Sequence, residues 1–252
     1  MPLVYVLIVL FAWLARGGLG PASHPALLTG LSMACAYLLM AILTFSLSPV
    51  STWLLPPGFA LNVSLNHVLH ALLVLNVYLP LCGRGLSDDS GHPGFARYLV
   101  ELGAFFVVYD VIFYALHRLL HTRALYAVHA QHHALRATNG LSGFYMSVAD
   151  MVLEIALPLW MTLALVNPHW VSAYAILVLC AMNSVYSHAG VQLRGFSSPR
   201  NHAVHHIMPR FNYGIGLVDS LVGTSAPRVV IGVESAPATA DAQEACCHFH
   251  GV

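Results

Sequence analysis

Charged residues are scarce in this chain, and lysine is absent from it. Only 8% of the 252 residues are charged, whereas a soluble domain has about 25%. Ten arginines balance ten acidic residues, so the formal net charge is zero. A neutral chain offers nucleic acid no general electrostatic attraction. The composition therefore argues against a soluble domain and gives no reason to expect nucleic acid as a partner.

Cysteine is also sparse, with five residues in the chain. Cys35, Cys82 and Cys180 lie in or at the ends of apolar runs, where a thiol usually packs as a small hydrophobic group. No disulfide framework is predicted. Cys246 and Cys247 lie next to a histidine, which is compatible with a metal or palmitoylation site. We instead interpret residues 229–252 as a flexible tail, because they follow an Ala/Pro-rich stretch.

Hydrophobic residues make up 58% of the chain and fall in long runs. A helix needs about 20 apolar residues to span a bilayer, and several of the runs reach this length. We therefore predict an all-α polytopic membrane bundle of four to six helices. The first run is interpreted as a retained helix, since no clear small-residue cleavage site follows it. The runs are Leu3–Ala15, Leu27–Leu47, about Phe59–Cys82, Tyr98–Leu116, Phe144–Val166 and Trp170–Tyr186.

The arginines predict the orientation of this bundle. If the first run leads outward and later spans alternate, most arginines share one face, and the positive-inside rule makes that face cytoplasmic. The opposite face has only Arg16, Arg84 and Arg97. The cytoplasmic set is Arg118, Arg123, Arg136, Arg194, Arg200, Arg210 and Arg228.

A polar loop, Gly83–Arg97, divides the chain into two parts. Residues 1–97 are predicted to be N-terminal membrane helices and loop, and residues 98–228 a catalytic core. Within the core, two apolar runs are joined only by Asn167-Pro168-His169, which predicts an antiparallel helical hairpin. The hairpin returns the chain to the face that it left. The histidine-rich stretches before and after it, His117–Asn139 and His188–His206, are therefore expected to meet in a cytosolic cap.

Three histidine groups carry the chemistry of this core. Residues three or four apart share one face of a helix, so each group is expected to direct its imidazoles at a common point. Neutral imidazole binds iron, zinc, copper or nickel. The groups, with His188 as a ninth ligand, exceed the needs of one ion, so two ions are predicted. The groups are His117-Arg-Leu-Leu-His121, His129-Ala-Gln-His132-His133 and His202-Ala-Val-His205-His206.

A single pair such as His117 and His121 is more typical of a solvated helix face, and only the clustering favours a metal centre. Nine of the 16 histidines fall within ninety residues, next to apolar helices in which unpaired imidazoles would be costly. We interpret His67, His70 and His169 as structural residues.

The order and spacing of these motifs resemble the fatty acid hydroxylase/sterol desaturase superfamily over about residues 98–224. The resemblance includes Asp110-Val-Ile-Phe-Tyr-Ala-Leu-His117, Asn212-Tyr-Gly and Asp219-Ser-Leu-Val-Gly-Thr224. It implies a four-helix membrane core with a cytosolic cap that holds two iron ions. It also implies hydroxylation or desaturation of a lipid with O2. Carried over by position, the implied ligands are His117, His121, His129, His132, His133, His188, His202, His205 and His206.

The resemblance implies further partners. Electrons are expected from an external cytochrome b5 or ferredoxin-type donor, because no motif of a fused donor domain is recognised. The substrate is expected to be lipid-like and to come from the membrane.

Asp110 is predicted to orient a metal-ligating histidine from outside the ligand set, and Asp219 is a second candidate for this role.

The chain departs from the family pattern at two places. Many relatives have a further histidine where this chain has Ser184, so water or Asn183 is expected to complete one metal site. Ser147-Val-Ala-Asp150 stands in place of a His-Pro-x-Glu-like segment. These departures leave the subfamily and the substrate open.

Two other functions fit the histidine clusters. A zinc-dependent membrane hydrolase is distinguished from an iron oxygenase only by the family resemblance, because imidazole binds both metals. A metal transporter would place its ligands at mid-membrane, whereas these clusters are predicted to lie beyond the helix ends.

Overall fold

The computed structural model describes residues 55–73, 94–136, 138–189 and 200–227. Within these ranges the chain is helical and has no β-strand, as predicted. The predicted helices Leu3–Ala15 and Leu27–Leu47 and the predicted tail 229–252 lie outside the described residues.

The described segments contain seven helices and two short 3-10 turns. The turns, His132–Ala134 and Ser142–Phe144, lie between the third and fourth helices. The helices are α1 (Phe59–Leu73), α2 (Phe95–Leu120), α3 (Tyr126–His129), α4 (Val148–Val166), α5 (Trp170–Tyr186), α6 (Arg200–Ile207) and α7 (Leu217–Val222).

Helices α2 and α4 are long and apolar enough to cross a membrane. The 26 residues of α2 extend over about 39 Å at 1.5 Å per residue, and a bilayer core is about 30 Å thick. Val100, Val107 and Val111 of α2 are more than half exposed, as expected of residues that face lipid. These features are consistent with a helical membrane protein.

Helices α4 and α5 form the predicted antiparallel hairpin. Asn167 ends α4 in the left-handed conformation, at φ 43°, and its N–H donates to the carbonyl of Leu163. The end of α5 packs against the start of α4, since Tyr186 and Met151 share one buried cluster. The start of α5 packs near the end of α4, since Ala173 and Leu163 share another.

A partly buried polar contact attaches the hairpin turn to the first half of α2. The Glu101 carboxylate accepts hydrogen bonds from the His169 N–H at 3.1 Å and the Ser172 hydroxyl at 2.6 Å. Arg97 donates to its other oxygen at 2.8 Å. His169 therefore contributes a backbone group to the packing of the helices, in line with its interpretation as a structural residue.

Helix α1 packs on the segment that leads into α4. The Asn66 amide donates to the carbonyls of Phe144 and Met146 at 3.0 and 2.8 Å. The His67 ring lies against the Phe144 ring, with 3.9 Å between centroids. These contacts fix the connection between the second histidine group and α4.

Candidate metal centre

All nine predicted ligands converge at the ends of the helices, where they form two clusters. Within each cluster the potential ligand atoms all lie within 4.8 Å of one another. The first cluster consists of His117, His121, His129, His133 and His205. The second cluster consists of His132, His188, His202 and His206.

The expectation that each histidine group addresses one point holds for the first group, since its two members share a cluster. It is wrong for the second and third groups, which are divided between the clusters. Pairs four residues apart stay together, as His202 and His206 do, whereas His205 belongs to the other cluster. Consecutive residues of an α-helix project about 100° apart. Helix α6 therefore serves both clusters, and the segment that contains His132 and His133 does the same.

Three imidazoles of the first cluster are oriented by hydrogen bonds from Nδ1. His117 donates to the Tyr213 carbonyl at 2.7 Å, and His205 donates to the Phe211 carbonyl at 2.6 Å. His129 donates to the Asp150 carboxylate, with 2.9 and 3.0 Å to its oxygens. With the proton on Nδ1, the neutral imidazole has a lone pair on Nε2, and this is the tautomer that binds metal through Nε2.

The oriented lone pairs face one another across the first cluster. Nε2 of His117 lies 3.2 Å from Nε2 of His129, and neither nitrogen has a hydrogen to share. Within the described segments, both nitrogens of buried His133 are without a hydrogen-bond partner. Two lone pairs at this distance repel unless a cation lies between them, and ligand nitrogens of one ion at about 2.0–2.1 Å have a similar separation. The residues of the first cluster therefore fit a bound metal ion.

The second cluster has the same character. Nδ1 of His188 donates to the Ser184 carbonyl at 3.1 Å. Its Nε2 lies 2.9 Å from Nε2 of His202 and 3.4 Å from Nε2 of His132. His206 brings a fourth Nε2 to within 3.2 Å of that of His202. Four converging imidazoles match the coordination number of a closed tetrahedral site.

Burial keeps these imidazoles neutral. It lowers the pKa of His133 to about 3 and that of His188 to about 4. Burial also lowers the pKa of His121 to about 4. Removal from water disfavours the charged form, and at His133 the neighbouring imidazoles lower the pKa further. The clusters are thus in the protonation state that binds metal near neutral pH.

Two carboxylates of α4 approach the first cluster. Asp150 accepts from His129, and Glu154 places one oxygen 3.3 Å from Nδ1 of His129 and the other 3.7 Å from Nε2 of His117. In the sequence, Asp150 stood out only as a departure from the family pattern, and Glu154 was not predicted to belong to the site. The available signal was a pair of acids four residues apart in an apolar run, because ionisable residues in membrane helices are usually functional.

Asp110 reaches the histidines only through a loop. Its two carboxylate oxygens accept from the N–H groups of Ile215 and Val218, at 2.6 and 2.8 Å. These residues lie in the 211–219 loop, which includes the first residues of α7 and also supplies the carbonyl acceptors of His117 and His205. Asp110 is therefore placed to position the loop, and contacts the predicted ligands indirectly.

Asp219 holds the same loop from within. Its oxygens accept from the N–H groups of Tyr213 and Gly214, at 2.9 and 2.6 Å, and from the Thr224 hydroxyl at 2.7 Å. A Cβ at Gly214 would overlap the Asp110 carboxylate, so only glycine permits this close approach. The Asn-Tyr-Gly motif noted in the sequence thus has a steric reason.

The structure does not direct the side chain of Ser184 to the second cluster. Its hydroxyl donates to the Ala181 carbonyl at 2.8 Å, and its own carbonyl accepts from His188. Asn183 is exposed. Ser184 therefore orients His188 through its backbone, and neither residue carries the expected role of completing the cluster.

The comparison with known proteins agrees with these motifs. Residues 102–224 match the model of the family described as fatty acid hydroxylase. Residues 102–224 therefore form a domain of the fatty acid hydroxylase/sterol desaturase superfamily, and the resemblance predicted from the sequence is confirmed. No solved structure gives a significant match.

Curated relatives differ in the reactions that their names state. Fatty acid hydroxylase domain-containing protein 2 of Macaca fascicularis is 32% identical over 134 residues, which cover 52% of this chain and 40% of the relative. Methylsterol monooxygenase 2-1 of Arabidopsis thaliana is 32% identical over 107 residues, with 42% and 39% covered. Very-long-chain aldehyde decarbonylase GL1-8 of Oryza sativa is 37% identical over 111 residues, with 42% and 40% covered. The matched region spans about two fifths of each relative.

Proposed function

We propose that this protein is a membrane-bound di-iron oxygenase that hydroxylates or desaturates a lipid-like substrate with O2. The observation that carries the proposal is the convergence of nine imidazoles in two clusters, seven of them buried and two, His121 and His202, half-buried, with lone pairs that face one another. The first cluster would hold one ion and the second cluster the other. A pair of iron ions, when bound and reduced, supplies with O2 an oxidant strong enough to attack an alkyl C–H bond.

The residues of this chain position the metal pair. Neutral imidazoles offer Nε2, and hydrogen bonds from Nδ1 to Asp150, Phe211 and Tyr213 hold the rings of the first cluster in place. Oriented ligands of this kind bind metal more tightly, since loss of an orienting group typically weakens affinity by about 10–100-fold. The apolar surroundings limit access of water.

A lipid-like substrate is supported by the relatives and by the apolar helices. The relatives' names refer to fatty acids, methylsterols and very-long-chain aldehydes, which all combine a long apolar body with one polar end. Helices α2 and α4 are able to span the membrane in which such molecules dissolve. We propose that the electrons come from an external donor of the cytochrome b5 or ferredoxin type.

The metal site is proposed to face the cytoplasm. Arg123, Arg136 and Arg210 are exposed near the histidine segments, and the positive-inside rule favours the cytoplasm for such residues. Cysteines introduced at positions 123 and 200 should not react with a membrane-impermeant thiol reagent added outside intact cells. Both should react once the membrane has been permeabilised and the reagent reaches the cytoplasm. Labelling of the two positions from opposite sides would contradict the shared site.

The function is tested by metal analysis together with lipid mass spectrometry. Protein purified without added metal should contain iron, and cells with the gene should gain a lipid that has one more oxygen or two fewer hydrogens. Cells with His205→Ala in place of the wild type should lack this lipid. A protein that contains only zinc and releases hydrolysis products would instead identify the membrane hydrolase.

A further inference from the structure

Helix α4 carries a buried carboxylate, Glu154, that the nine-histidine ligand set does not use. The residue is 3% exposed, in the middle of an apolar helix. One of its oxygens, Oε2, has no hydrogen-bond partner among the residues that the structure describes. A buried ionised carboxylate costs several kcal/mol unless a positive charge or several hydrogen bonds compensate it, so the position requires an explanation.

No arginine within the described ranges forms an ion pair with Glu154. Arg97 pairs with Glu101, and Arg118 donates to the Tyr114 hydroxyl. The groups that approach Glu154 are His117 and His129. The Nδ1 proton of His129 is donated to Asp150, and Nδ1 of His117 donates to the Tyr213 carbonyl. Protein cations in the described ranges thus do not compensate this carboxylate.

The carboxylate of Glu154 is directed toward the first cluster. Oε1 lies 3.7 Å from Nε2 of His117, the nitrogen whose lone pair faces the cluster because Nδ1 donates to Tyr213. Oε2 lies 3.3 Å from Nδ1 of His129, whose single proton already serves Asp150. The carboxylate therefore lies beside ligand atoms of the cluster and has an oxygen that no protein hydrogen satisfies.

The backbone of α4 is unusual at this position. Residues Met151–Ala156 form a π-helical segment inside an otherwise α-helical span, with Glu154 within it. Such segments are rare and occur frequently at functional sites. Asp150, immediately before the segment, and Glu154, within it, both contact His129.

We propose that Glu154 is an oxygen ligand of the metal ion in the first cluster. The inference rests on the proposed function, since it requires a metal ion there. The two metal positions are then chemically unequal: one has five imidazoles and a carboxylate, and the other has four imidazoles. Hard oxygen donors favour different ions from imidazole, so the two positions differ in affinity and in electronic environment.

Two substitutions separate a ligand from a structural residue. Glu154→Gln keeps the shape and removes the charge, and Glu154→Met replaces the carboxylate by an apolar side chain of similar size. A carboxylate that serves only packing could be replaced by methionine with neutral or favourable effect on stability. A ligand cannot be replaced in this way, and the metal affinity of the first cluster should fall by more than about a hundredfold, beyond the 10–100-fold range typical of orienting groups.

The measurement is anaerobic titration of the metal-free, detergent-purified protein with ferrous iron, followed by Mössbauer spectroscopy of the loaded protein. Both variants should lose affinity in one of two binding steps and change the spectrum of one iron. Glu101→Gln is the matched control, because it makes the same change in a partly buried carboxylate near the start of α2, far from the histidines at the end of that helix. It should leave both binding steps as in the wild type.

Folded Glu154→Gln and Glu154→Met proteins that bind both ions with wild-type affinity and spectra would overturn the inference and leave the proposed function standing. If neither variant folds, infrared difference spectra of wild-type protein with isotopically labelled glutamate decide the question. Metal addition should shift a labelled carboxylate band, and an unshifted spectrum would overturn the inference. Wild-type protein that binds no metal would overturn this inference together with the proposed metal centre.

Discussion

Replacing Asp110 by asparagine tests how the 211–219 loop is held in place. The carboxylate accepts from the N–H groups of Ile215 and Val218, and each hydrogen bond to a charged group contributes about 1.5–3 kcal/mol. An asparagine can accept one of these bonds but turns an NH2 group toward the other N–H. The buried donor left unpaired costs about 1–3 kcal/mol, which is the expected loss of stability.

The effect should extend to the metal site, because the same loop supplies the acceptors of His117 and His205. Metal affinity should fall by about 10–100-fold, the range typical of groups that orient ligands, and His117→Ala should cost more. Denaturant unfolding measures the stability, and competition with a chelator measures the affinity. Glu101→Gln, a carboxylate change nine residues earlier on α2, should lower stability without changing the affinity.

An Asp110→Asn protein with wild-type stability and metal affinity would contradict the role of Asp110 in holding the 211–219 loop. Equal losses of affinity in Asp110→Asn and Glu101→Gln would also refute it. The effect on metal binding would then follow from general destabilisation of α2 and would not depend on the loop.

Three further predictions concern the clusters and the reaction. The His132→Ala and His205→Ala proteins should each lose metal and turnover together. The control His92→Ala, at a position outside the described residues, should keep both. Normal metal content and turnover in the His132→Ala and His205→Ala proteins would contradict the ligand assignment. Burial lowers the pKa of His133 to about 3 and of His188 to about 4, against 6.5 in the unfolded chain, so between about 6.5 and 4 the unfolded state binds more protons. Stability of the metal-free protein should thus be complete above about pH 6.5 and fall toward pH 4, and a flat thermal midpoint over this range would be inconsistent with buried neutral histidines. Purified protein should turn over lipid only with an added electron donor; sustained turnover with O2 alone would exclude the proposed chemistry.

Local patterns in the sequence were sufficient for several features. The joining of two long apolar runs by Asn167-Pro168-His169 predicted the hairpin, because so short a connection forces the chain to reverse. The density of histidine predicted a metal centre, because buried imidazoles without partners are costly. The motif order was specific enough to identify the family, which the match over residues 102–224 confirms.

Local sequence patterns could not predict which carboxylate forms hydrogen bonds with which group of the site. The sequence suggested Asp110 as an orienting carboxylate for histidine, yet His129 is oriented by Asp150, 21 residues away in the chain. Asp110 instead binds backbone more than a hundred residues further along. Such pairs depend on how separate segments pack, and spacing along one helix carries no information about them.

The sequence by itself determined which histidines come to the site, because helical periodicity and apolar run length are properties of single segments. Only the tertiary structure decided how those residues are divided. His205 and His206 are neighbours in the chain but belong to different clusters, since a helix turns about 100° per residue and the partners on each side come from other segments. The same packing brought Glu154, which no histidine motif contains, to within 3.7 Å of the first cluster's His117.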